Sequence, residues 1–213
     1  TAINNEITIT NQFVVDKLQE NINIYDKSGE QHYDIISAFI KSVRGSNPDA
    51  AVYWLARMLD AGEDIKFIAR RLIILASEDI GLANPNALLL ANACFDAVSK
   101  IGMPEARIIL SETTIYLATS PKSNSAYLAI DKALALVKET GNLPVPLHLR
   151  NAPTQLMKNL NYGKDYKYPH DFPNNFTEQQ YLPDKINSET IYEAGQNRKE
   201  KAILDYLNFL KNI

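Results

Sequence analysis

Apolar residues recur at helical spacing along most of the chain. Ile35, Ile36, Phe39, Ile40 and Val43 form one stripe, and Val52, Leu55, Ala56 and Leu59 form the next. Phe67, Ile68, Leu72 and Leu75 give a third, Leu88, Leu89, Ala93 and Val98 a fourth, and Ile108, Ile109, Ile115 and Leu117 a fifth. Ala126, Ile130, Ala133, Leu134 and Val137 mark a longer helix ending at Gly141. Gly45, Gly62, Gly81, Gly102 and Gly141 each follow such a segment, which predicts left-handed helix ends at these positions. Pro48, Pro85 and Pro104 fall near the first turn of the next segment, with Asn47 and Asn84 placed as N-caps for two of them. Gaps this short predict antiparallel neighbours. From about Thr10 to Asn161 the pattern is therefore that of an all-α, antiparallel helical bundle, and without a fixed-period consensus it is not a repeat array.

The character changes after Gly141. Pro144, Pro146 and Pro153 break the chain into extended pieces before a short helix near Thr154–Leu160. From Tyr162 to Gln196 the sequence is polar, rich in Pro and Asn, and studded with Tyr162, Tyr166, Tyr168, Phe172, Phe176, Tyr181 and Tyr192. This predicts an irregular, aromatic-rich arm whose rings dock on a surface. A C-terminal helix follows over Arg198–Ile213, with Ala202, Ile203, Tyr206, Leu207 and Leu210 on one face.

Composition narrows the function classes. The 213 residues carry a net charge of -3, against the positive balance usual for domains that grip nucleic acid through phosphates. Apolar runs such as Leu72–Ala76 and Ala87–Ala91 are too short to span a membrane. No basic start leads into an apolar stretch, so no secretory signal is expected, and the first residue, Thr1, suggests a piece of a longer chain. Cys94 is the one cysteine and sits in an apolar helical pattern, which makes it a small buried hydrophobe rather than a nucleophile. His32, His148 and His170 lack partners at ligand spacing, so no metal site is expected. Gly163-Lys164 lacks the upstream glycine of a phosphate loop, and no G-x-S-x-G elbow occurs. Leu128-Ala129-Ile130-Asp131 has the look of an acidic metal-holding strand but falls within helical periodicity.

Three segments carry more polar chemistry than a plain bundle requires. Lys41 and Arg44 stand in a helix's last turn, where they compensate the dipole or contact a phosphate or an acidic partner. Arg70 and Arg71 precede Glu78 and Asp79, whose charges a helix C-terminus disfavours, so a structural ion pair or a functional contact must offset them. Leu147-His148-Leu149-Arg150-Asn151-Ala152-Pro153 is held extended between prolines, as a surface loop or as a crossing over another subunit.

These same segments carry a family resemblance. Tyr33–Ala38, Lys41–Ser46, Pro48–Ala51 and Tyr53-Trp54 resemble the RarA/MgsA ATPases and their eukaryotic relative, the Werner-helicase-interacting ATPase. The likeness continues through Ala69-Arg70-Arg71, Ala76–Gly81, Pro121–Asn124, Val145–Thr154 and Gly163–Asp171. The family is similar to clamp-loader AAA+ proteins, with an ATPase module followed by a helical collar and an oligomerisation domain. The resemblance implies a clamp-loader-collar-like bundle, with residues 1–83 as the end of the lid region and the collar, and residues 84–213 as the oligomerisation domain. Walker A, Walker B and sensor arginines have no counterpart in these residues. No catalytic, cofactor-binding or metal-binding residue is therefore expected here, and ATP and Mg are implied only for an ATPase module outside them.

The resemblance also implies a homo-oligomer, a tetramer, acting at replication forks or DNA ends through the whole protein. It further implies a single-strand-binding protein as a partner and a cytoplasmic, nucleoid-associated location. Trp54, Glu78, Asp79, His148, Tyr166 and Tyr168 are the candidates for packing or assembly. Lys41, Arg44, Arg70, Arg71, Lys122 and Arg150 are the candidates for DNA or inter-domain contact. The rival reading is a nucleic-acid-contact module in which those six cations converge into a local stripe. A small-molecule enzyme built around Glu78, Asp79, His148 and Arg150 ranks last.

Overall fold

The helices form where the pattern is amphipathic and stop where the caps require it. A computed structural model describes residues 2–3, 6–7 and 30–212. Two short strands, β1 (Ala2–Ile3) and β2 (Glu6–Ile7), pair antiparallel with Ala2 opposite Ile7. The helices are α1 (Glu30–Arg44), α2 (Pro48–Asp60), α3 (Ile65–Leu75), α4 (Asn86–Ile101), α5 (Ala106–Thr119), α6 (Ser125–Thr140), the short α7 (Gln155–Asn159) and α8 (Arg198–Lys211). The helical reading of residues 10–29 lies outside the described residues.

Local chemistry sets the ends. The Asn47 side chain accepts from the Ala50 N–H at 3.0 Å, capping α2 ahead of Pro48 as the sequence predicts. At the end of α1 the left-handed residue is Ser46 (φ 58°), one position beyond the expected Gly45. Ahead of α4, which starts at Asn86, the Asn84 Nδ2 donates to the Ser120 hydroxyl at 3.3 Å.

The described residues divide into two compact units, between which the chain passes at 75/76, 89/90 and 119/120. The first holds α1, α2, α3, most of α4, and α5. Here α2 packs on α1 and α5, and α5 also contacts α1 and α3. Phe39, Val43, Leu55, Met58, Ile68, Leu72, Val98, Leu110 and Leu117 are fully or almost fully buried in its core. The second unit holds residues 76–89 and everything from Ser120 onward. Its centre is the π-helical turn Ala76–Ile80 and the 3-10 turn Gly81–Ala83, against which α6 and α8 pack. Gly81 (φ +46°) lies so close to the Ser123 carbonyl that an added Cβ would stand 2.9 Å from that oxygen.

The helical bundle is as expected, but the aromatic-rich arm is not. Between residues 162 and 196 the rings do not gather: Tyr166, Tyr168, Phe172 and Tyr181 are exposed. Among the described residues of this stretch the one ring-to-ring contact is Tyr168 with His170, at 5.1 Å. Tyr162 faces the Arg150 guanidinium, and the Tyr192 hydroxyl donates to Glu200. Amides do the work assigned to the rings. Gln179 accepts from the Lys167 N–H at 3.3 Å and donates to the Lys167 carbonyl at 2.8 Å, closing the loop as a backbone partner would.

Candidate assembly surfaces and polar clusters

The second unit is built around polar groups. Its buried apolar residues are Ala76, Ile80, Ala83, Ala87 and Leu210, while Asp79, Ser120, Ser125 and Glu200 are also buried. Glu200, at 0% exposure, stands in the first turn of α8. Its carboxylate accepts from the Ser125 hydroxyl at the start of α6, from Asn197 Nδ2, and from the Tyr192 hydroxyl at 3.2 Å. Burial alone would raise its pKa. The Ser123 and Ser125 hydroxyls, the Gly195 backbone and the Asn197 amide outweigh burial and hold it at about 2. Burial, then the Glu200 charge and its hydrogen bond, push the Tyr192 phenol above its ordinary value, so that proton stays on Tyr192 and donates. The carboxylate thus ties the N-termini of α6 and α8 together where both helix dipoles favour a negative charge.

A second polar knot lies nearby. Ser123 N–H donates to the Asp79 carbonyl at 2.8 Å, and Lys122 Nζ to the Ser120 carbonyl at 2.6 Å. Burial lowers the Lys122 pKa, and the Asp79 charge works against that shift. Asp79 therefore lies within electrostatic reach of the Lys122 ammonium.

With its core small and partly polar, the second unit leaves many of its large apolar residues exposed. On α6, Ile130, Leu134 and Val137 are 55%, 60% and 61% exposed, with Tyr127 and Leu128 also open. Ser125 is the only buried residue of that helix. On α8, Leu204, Tyr206, Leu207 and Phe209 are exposed. Ile130, Leu134 and Val137 share one face of α6, and contiguous exposed apolar area is uncommon on monomeric proteins.

The sequence-selected residues fall in separate clusters. In the first unit Lys41 and Arg44 are exposed in the last turn of α1. Arg70 and Arg71 lie 5.9 and 5.5 Å from the Phe67 ring, and exposed Arg70 also meets Asp64 at 3.6 Å. Arg71 is half-buried, and its Nε is buried without a hydrogen-bond partner. Half-buried Trp54 meets Tyr53 edge-on at 5.0 Å and carries Arg57 over its ring at 5.8 Å.

In the second unit Glu78 is half-buried and Asp79 buried on the π turn, with Lys122 beside Asp79. His148 Nε2 meets the Gln180 carbonyl at 2.7 Å, and His148, Arg150 and Tyr166 line one cavity, while Tyr168 is exposed and tilted against His170. Glu200 is not among the candidates named from the sequence. Its signal is the Asn197-x-x-Glu200 pattern, an N-cap followed by an acid three residues on.

Among the described residues no group of three or more His, Cys, Asp or Glu is placed to hold a metal ion. The G-x-x-x-x-G-K-[ST] phosphate loop does not occur in this sequence. No helix among them is long and apolar enough to cross a membrane.

Comparison with known proteins places the chain in a family. Residues 45–211 match the family model described as MgsA AAA+ ATPase C terminal, and residues 1–44 match the one described as AAA C-terminal domain. Replication-associated recombination protein A of Coxiella burnetii is 46% identical over 198 residues, covering 91% of this chain and 45% of that protein. The Bacillus subtilis protein of the same name is 45% identical over 199 residues, 93% of this chain and 47% of its own length. ATPase WRNIP1 of Dictyostelium discoideum is 42% identical over 194 residues, 91% of this chain and 22% of its own. The chain spans about half the length, or less, of these curated relatives. Both matched models are C-terminal regions, and the catalytic Walker motifs are not among these residues.

Proposed function

Because the chain belongs to the MgsA AAA+ ATPase C-terminal family, we propose that it is the collar and oligomerisation region of a replication-associated recombination ATPase. In this reading residues 1–83 are the end of the lid and the collar, and residues 84–213 bring four chains together. The parent protein binds and hydrolyses ATP with Mg in a module outside these residues. It acts in the cytoplasm on DNA forks or ends, with a single-strand-binding protein among its partners. Holding several ATPase modules in one assembly raises their effective concentration on a fork without new DNA contacts in this region.

The observation that carries the reading is the open apolar face of α6, with further exposed apolar residues on α8, on a unit whose buried core is mostly alanine and polar groups. Copies of one chain are the natural cover for such a stripe, since most soluble oligomers are symmetric assemblies of identical subunits. Light scattering across a concentration series tests it. A stable mass of about four chains is expected. The mass of a single chain at every concentration would sink the assembly role and turn attention to direct DNA contact.

A further inference from the structure

In the second unit a cavity of about 410 Å³ is lined by residues 148–152 on one side and by Gly163, Tyr166 and Tyr181 on the other. That volume is in the range of small-molecule sites. Arg150 is its one permanent cation, and no carboxylate is among its lining residues. The neighbouring cavity across His148 carries both Lys164 and Asp165, so its charges compensate. The cavity at Arg150 has no such balance.

The guanidinium is already fixed in place. Nε donates to the Val145 carbonyl at 2.7 Å and a terminal nitrogen to the Tyr162 hydroxyl at 3.2 Å, while its carbon lies 5.0 Å from the Tyr162 ring centroid. A guanidinium has five N–H donors in a rigid fork. Two are used here; three are left, and among the described residues no carboxylate pairs with it. The Asn151 amide and the Tyr166 hydroxyl likewise make no hydrogen bond among the described residues, and neither Tyr166 nor Tyr181 is paired with another ring.

The geometry points to a nucleoside monophosphate unit as the ligand of this cavity. The free edge of Arg150 takes the phosphate, for which a positioned guanidinium fork is the fitting donor. A tyrosine face takes the base, since every base offers a π-face to stack, and the Asn151 amide supplies one donor group and one acceptor for its edge. A free nucleotide and the phosphorylated end of a single strand present the same chemistry. The site is independent of the assembly reading, so either can fail alone.

Calorimetric titration of the chain with AMP, adenosine, inorganic phosphate and a 5′-phosphorylated oligothymidylate tests this. AMP or the oligonucleotide should bind at one per chain, more tightly than phosphate or adenosine alone, and the tighter of the two assigns the source. Asn151→Asp places a carboxylate among the residues that line the cavity, at an exposed position. It should weaken binding about tenfold or more, because like charges are brought together, and leave the light-scattering mass unchanged. Tyr166→Ala should weaken AMP more than phosphate. No saturable binding of AMP or the oligonucleotide at millimolar concentration, or an Asn151→Asp variant of unchanged affinity, would overturn the proposal.

Discussion

Replacing Glu200 by Gln removes one charge from the centre of the second unit and changes almost no volume. The carboxylate accepts from Ser125, Asn197 and Tyr192, and an amide nitrogen in its place would face those donors with N–H groups of its own. The size of the effect follows from linkage. The folded-state pKa of about 2, set against an ordinary value of 4.5, corresponds to about 3 kcal/mol of folding free energy from the ionised form. The sign is that of a depressed acid. The contribution is fully present above the unfolded-state pKa and is lost as pH falls toward the folded-state value. Wild type and Glu200→Gln should therefore differ by about 3 kcal/mol at pH 7 in urea unfolding followed by circular dichroism, and by about 1 kcal/mol at pH 3. Other carboxylates titrate equally in both proteins and cancel in the difference. A gap of the same size at both pH values would refute the ionic origin of the stabilisation and leave only a packing effect.

Two further outcomes follow from the same geometry. Gly81→Ala forces a left-handed alanine whose Cβ stands 2.9 Å from the Ser123 carbonyl oxygen, so thermal unfolding should show a loss of about 1–3 kcal/mol; an unchanged midpoint would mean that the segment shifts freely. Cys94 is buried and its thiol pKa is raised by that burial, against a Thr113 hydrogen bond that lowers it. Labelling with a thiol reagent should be slow in buffer and become complete in denaturant, and rapid labelling of the native chain would place Cys94 at the surface.

The sequence conveys helix ends better than helix partners. Asn47 before Pro48 defines the start of α2 because a cap is a local bargain between neighbouring residues. The stripe of Ile130, Leu134 and Val137 is equally legible as a helix, yet it lies open, because periodicity says that a face is apolar and not what covers it. In α5, Leu117 of the expected stripe is buried beside Leu110, but Ile108 and Ile115 are exposed while Thr113 and Thr114 are buried, so the buried face mixes apolar side chains with hydroxyls. The arm misled for a related reason. Its rings stand out in the sequence, but Gln179 closes the loop through hydrogen bonds to a residue twelve positions away, which composition does not reveal. Arg150 was selected as a cation, and only the fold shows that Tyr162 and Val145 hold it in place.

The central claim is that the open apolar face of α6 holds copies of the chain together. Its most direct test is the light-scattering mass of wild type beside Leu134→Glu at equal concentration. Leu134 is 60% exposed, so the substitution should leave the thermal midpoint of the single chain nearly unchanged. In an assembly it would lose about 1–2 kcal/mol of apolar burial per copy and bring a carboxylate into the interface. The account predicts about four chains for wild type and a shift toward one chain for the variant. A variant that keeps the wild-type mass would contradict the assignment of α6 as the assembly surface.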